Sequence, residues 1–139
     1  MPERKETSFD RKILVLVEDL FYGVKIASLL KQMRYSFQIF SSESDALQVL
    51  ENSSPPLVIL DLDFQPEGLK ILKKMKKDNT TRDIPIIAYS RHTEKELMEN
   101  ARKLGCRDVL SRPEFLRNLP DLVKSVLHES GEDGKKEGR

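Results

Sequence analysis

The sequence predicts an α/β domain in which a buried parallel sheet carries helices on both faces. Three observations lead there. Short, nearly continuous apolar runs recur along the chain, notably Ile13-Leu14-Val15-Leu16-Val17, Val58-Ile59-Leu60 and Ile84 to Tyr89. Strands buried on both faces read this way, as in parallel sheets. Between the runs the apolar spacing changes to that of helices. Finally, the first run stops at Glu18-Asp19 and the second at Asp61-Leu62-Asp63. In open α/β sheets the carboxyl ends of strands are where ligands and chemistry sit.

Taken in order, the strands are expected at 12–17, 36–40, 57–60, 84–89 and 108–110. Ile26, Leu29, Leu30 and Met33 share one face of the first intervening helix. Ala46, Leu47 and Leu50 do so in the second, and Leu69, Leu72 and Met75 in the third. Leu97, Ala101 and Leu104 line the fourth, with Thr93-x-x-Glu96 as a capping box at its start. Leu119, Leu122, Val123 and Val126 line the fifth. Proline breaks helix interiors, so this last helix is expected to begin near Pro120. Strict βα alternation with right-handed crossovers gives a doubly wound sheet.

The chain has 139 residues, enough for one domain with a core of its own. Residues 11–128 form the expected body, between a flexible charged N-terminus (1–10) and a disordered charged tail (129–139). Twenty-four basic and 23 acidic residues leave a net charge of +1. That balance points away from nucleic acid. The single Cys106 excludes a disulfide framework and fits a reducing compartment. With neither a signal peptide nor a membrane span in the sequence, the expectation is a soluble cytoplasmic protein. The lysines at 70, 73, 74, 76 and 77 read as a solvated helix face.

The strand ends deliver Glu18-Asp19, Asp61, Ser90 and Arg112 to one edge. Each acid could simply cap a loop or the helix that follows it. Gathered together, however, carboxylates repel one another unless a cation sits among them, and Mg2+ suits an all-oxygen site. With a hydroxyl and a fixed cation alongside, the set suits forming an acyl phosphate on Asp61.

At this point the sequence resembles the receiver domain of two-component response regulators. The resemblance covers residues 12–127 and rests on Val17-Glu18-Asp19, Leu60-Asp61, Pro85 through Ser90, Gly105 and Arg112-Pro113. It implies a flavodoxin-like fold with strand order 2-1-3-4-5. It also implies phosphoryl transfer from a histidine kinase or phosphotransfer protein to Asp61, with Glu18, Asp19, Asp61 and the main-chain carbonyl of Asp63 as Mg2+ ligands. Ser90 and Arg112 would contact the phosphoryl group. A downstream protein partner would meet the face of the fourth helix, fifth strand and fifth helix, and weak self-association is compatible with it. This describes a phospho-accepting signalling domain rather than an enzyme with turnover.

The chain departs from the family pattern in four ways. Arg112 stands where the family has Lys, and Arg91 where it has a small residue. The loop after Asp61 is one residue short, with Pro66 displaced. Val109 stands where many members have an aromatic switch residue. These departures leave a second reading open, a pseudo-receiver that acts by protein contact without phosphorylation. Asp61-Leu62-Asp63 also resembles the first motif of haloacid-dehalogenase-type phosphatases, but Gln65 replaces the usual Thr and there is no room for a cap. Arg112 is expected to pair with Asp61 and hold it ionised. Arg91 is expected to be solvated, or else folded into the pocket.

Overall fold

The structure, a computed structural model, describes residues 12–63, 68–91 and 94–130. Five strands alternate with five helices in it: β1 Ile13–Leu16, α1 Leu20–Gln32, β2 Phe37–Phe40, α2 Glu43–Asn52, β3 Val58–Asp61, α3 Gly68–Lys77, β4 Ile86–Ser90, α4 Lys95–Lys103, β5 Asp108–Ser111 and α5 Arg112–Ser130. The sheet is parallel throughout, in the order β2-β1-β3-β4-β5. That is the architecture and strand order expected from the sequence.

The runs read as buried on both faces are so. Every residue of β1, β3 and β4 is buried. Alternate side chains feed two separate cores. One side of the sheet packs Leu14, Leu16, Leu60 and Ala88 against α2, α3 and α4. The other packs Val15, Ile59, Ile87 and Tyr89 against α1 and α5. The register sets Asp61 beside Tyr89 and Ser90 beside Ser111, so the strands end level at the site edge.

Several element boundaries differ from the sequence expectation. β4 begins at Ile86 rather than Ile84, because Pro85 has no N–H to give a ladder; its carbonyl still accepts from Val58 N at 3.0 Å. Glu94 is the N-cap residue of α4, one position after the expected start; Thr93 lies outside the described residues, as do His92 and the loop 64–67 with Pro66. The N-terminus 1–10 and residues 131–139 of the expected tail lie outside them too, while α5 reaches Ser130.

The larger difference is that α5 starts at Arg112 and runs through Pro120. Its start is made by a capping box at Ser111-x-x-Glu114. Ser111 Oγ accepts from Glu114 N at 3.3 Å, and the Glu114 carboxylate accepts from Ser111 N at 3.4 Å. An interior proline costs ~3 kcal/mol. Phe115, Leu119, Val123 and Val126 are buried on either side of it, and each contributes about 1.5–3 kcal/mol. Packing therefore outweighs the break.

Two backbone positions adopt left-handed geometry. Gly105, at φ +109°, makes the turn into β5. Arg34, at φ 67°, closes α1, with Tyr35 N donating to Leu30 O at 3.1 Å.

Candidate functional site

Asp61 ends β3 and is only 1% exposed. A buried carboxylate needs hydrogen-bond donors, and two main-chain amides provide them. Asp63 N donates to Oδ1 at 2.8 Å and Glu18 N to Oδ2 at 3.3 Å. Burial still dominates and raises the Asp61 pKa; the two amides offset part of the rise, the neighbouring Asp63 charge adds to it, and Arg112 draws it slightly down.

Asp19 follows β1 and has a different environment. Its Oδ1 accepts from Phe21 N at 3.0 Å and Tyr22 N at 3.3 Å, capping α1. The helix-capping alternative therefore holds for this acid. Its Oδ2 accepts from Arg112 Nη1 at 3.2 Å. The Tyr22 amide first, and Arg112 next, lower the Asp19 pKa against partial desolvation.

This corrects the expectation for Arg112. Its guanidinium takes Asp19 rather than Asp61, and Asp61 is raised rather than lowered. The reason lies in α5: Arg112 is the first residue of a helix that packs beside α1, not a loop cation. Tyr22 sits beneath it, with the guanidinium carbon 4.3 Å from the ring centroid and the Tyr22 hydroxyl donating to Arg112 O at 2.7 Å. Tyr22, Tyr89 and Phe115 form one aromatic cluster below, with Tyr89 and Phe115 stacked at 4.7 Å. Among the described residues, the Tyr89 hydroxyl and Arg112 Nε are buried without a hydrogen-bond partner.

Asp63 joins β3 to the end of β4. Ser90 Oγ donates to its Oδ1 and Arg91 N to its Oδ2, both at 3.0 Å. Arg91 is 58% exposed, with Nε 3.9 Å from the same carboxylate. It lies at the rim rather than filling the pocket.

Glu18, Asp19, Asp61, Asp63, Arg91 and Arg112 line one cleft of about 320 Å³. Four carboxylates are an all-oxygen donor set that fits a hard divalent cation in chemistry. In this conformation, no three acidic, His or Cys side chains among the described residues already surround one metal position. Asp19 instead divides its oxygens between the α1 amides and Arg112.

Gly68 was missed from the sequence. A Cβ there would stand 2.7 Å from Leu62 Cα and 2.8 Å from Asp61 O, so α3 begins in backbone contact with the end of β3. A glycine opening an apolar-periodic helix was the available signal.

A comparison with known protein families matches the response regulator receiver domain over residues 14–124. The chain belongs to that family. The match decides against the phosphatase alternative. Curated relatives include the polar-differentiation response regulator DivK of Brucella ovis, 28% identical over 118 residues, which cover 84% of this chain and 96% of the relative. DivK of Brucella anthropi is 27% identical over the same shares. Among solved structures, the receiver domain of NtrX from Brucella abortus has a TM-score of 0.75 at 23% identity, covering 84% of this chain and 98% of that one. The receiver domain of a Pseudomonas aeruginosa sensor histidine kinase, with magnesium ion coordinated in its active site cleft, has a TM-score of 0.75 at 18% identity over 84% and 97%. This chain is thus a receiver domain of the two-component type. No helix among its described residues is long and apolar enough to cross a membrane.

Proposed function

We propose that this receiver accepts a phosphoryl group on Asp61 from the phosphohistidine of a histidine kinase or phosphotransfer protein in the cytoplasm. The observation that carries this reading is the anchoring of Asp61. It is a buried carboxylate at a strand end, each oxygen held by a main-chain amide, at the base of a cleft lined by three more acids and two arginines. Anchoring of this kind fixes the nucleophile before the donor arrives.

An Asp61 oxygen forms the bond to phosphorus as the phosphorus–nitrogen bond to the donor imidazole breaks; that nitrogen keeps the bonding pair, and the ring leaves as neutral imidazole because its other nitrogen already carries a proton. Glu18, Asp19, Asp61 and the Asp63 carbonyl would hold Mg2+, which when bound neutralises charge between carboxylate and phosphoryl oxygens. Ser90, Arg91 N and Arg112 offer donors on the other side. The donor protein would approach over the start of α1, where Leu20, Phe21 and Val24 are 59%, 86% and 66% exposed. The output face would be α4, β5 and α5, which adjoins Ser90 and Arg112. Val109 on β5 is buried, so no aromatic ring swings at that position.

A specific observation favours the pseudo-receiver as second reading: Arg112 occupies the Asp19 oxygen that a cation needs. Incubation with acetyl phosphate and Mg2+, followed by intact mass, tests both. One added phosphoryl group, absent in Asp61→Asn, is expected. An unmodified mass with Mg2+ bound leaves the pseudo-receiver.

A further inference from the structure

The end of β4 presents two hydrogen-bond donors toward the cleft, and each is a single donor. A serine hydroxyl has one O–H and a peptide one N–H. Both are already given to Asp63: Ser90 Oγ to Oδ1 and Arg91 N to Oδ2, each at 3.0 Å. The Asp63 side chain is only 10% exposed, so these are charge-assisted bonds shielded from water. Its own N–H holds Asp61 Oδ1 at 2.8 Å. One residue therefore fixes the acceptor through its main chain and takes the β4 donors through its carboxylate.

A carboxylate bridging a hydroxyl and an amide offers them anionic oxygens, as a phosphoryl group would. We propose that the Asp63 carboxylate is an internal anion that competes with the incoming phosphoryl group for Ser90 Oγ–H and Arg91 N–H. The inference rests on the reading of Asp61 as acceptor. Asp63 acts here as a positioning residue and exchanges no proton or bond with the donor. For the phosphoryl oxygens to gain either donor, the carboxylate must let it go. The unlabelled arrangement is thereby favoured over the labelled one. Removing a negative charge near an anionic donor would also speed labelling, and the test separates the two effects.

Wild type, Asp63→Ala, Asp63→Asn, Ser90→Ala and the Asp63→Ala/Ser90→Ala double variant are labelled with acetyl phosphate and Mg2+ and followed by intact mass. Asp63→Ala is expected to raise the labelled fraction about threefold or more, with a clearly smaller gain in the Ser90→Ala background, because one of the two donors is then already missing. Asp63→Asn keeps one acceptor oxygen and should fall between. In unlabelled protein, the Arg91 amide proton resonance should move upfield in Asp63→Ala as its charge-assisted bond is lost. Equal gains with and without Ser90, or equal gains in the Ala and Asn variants, overturn the proposal in favour of charge alone. An unmoved Arg91 resonance overturns it too. Absence of label in all five proteins, with the Arg91 resonance moved, overturns the acceptor reading of Asp61 and the competition with it.

Discussion

The Cα position of Gly68 leaves no room for a methyl group against Leu62: a Cβ would lie 2.7 Å from both the Leu62 Cα and its carbonyl oxygen. The first turn of α3 therefore rests directly on the backbone that carries Asp61. Gly68→Ala must push strand end and helix apart, because the obstacle is main chain rather than a flexible side chain. We expect a loss of about 1–3 kcal/mol in chemical denaturation and weaker labelling of Asp61. Unchanged stability would show that the contact relaxes freely.

Asp61 makes stability depend on pH with a definite sign. Its pKa is raised in the folded state, chiefly by burial. Its share of stability is therefore fully present below its unfolded pKa and is lost as pH rises through the folded value. Asp61→Asn removes that loss. The amide retains an acceptor for the 2.8 Å bond from Asp63 N and gives up the longer one from Glu18 N. The variant should melt a few degrees above wild type at neutral pH, with the gap closing below the ordinary carboxylate pKa. A gap that widens in acid would contradict the assignment.

Arg112 pairs with the Asp19 oxygen that a divalent cation would use under the proposed reading. Arg112→Gln removes the guanidinium that lies over Tyr22 and frees Asp19 Oδ2, while the bond from the Tyr22 hydroxyl to the residue-112 carbonyl goes to main chain and is expected to survive the change. Magnesium affinity should rise about two- to fivefold, the scale of a partly exposed ion pair. The chain has no Trp, so tyrosine emission reports the titration. Asp19→Asn should abolish the response; tighter binding in that variant would refute the shared-oxygen argument.

Phe21 tests the proposed donor surface. It is 86% exposed, so Phe21→Ser should alter stability by no more than about 0.5 kcal/mol. Labelling by acetyl phosphate should be unchanged, while transfer from a phosphorylated histidine kinase that labels the wild type slows. Equal slowing with both donors would place the effect in the cleft instead.

The sheet was legible because burial on both faces leaves a compositional mark: the β1, β3 and β4 runs read as buried strands. The position of Asp61 followed, since a carboxylate ending such a run has nowhere else to be. Side-chain partners were less accessible. Whether Arg112 meets Asp61 or Asp19 depends on α5 starting without a loop and lying beside α1, and neither fact is local. Pro120 diverted the reading of that start, although Ser111-x-x-Glu114 marks it in the sequence. The close approach at Gly68 is likewise a tertiary fact, and the bonds to Asp63 join strands whose contributing residues stand 27 and 28 positions away.

Ser111 is both the last residue of β5 and the cap of α5, so nothing slack separates the cleft from the last helix. A displacement of Arg112 cannot be absorbed in a loop and must turn the helix itself. Nineteen residues at 1.5 Å each make a rod of about 28 Å. A tilt of about 5° at its cleft end would swing the Ser130 end by about 2.5 Å over that length. The geometry is that of a rod hinged at the acidic cleft, in which a small turn beside Arg112 becomes a larger movement at the far end.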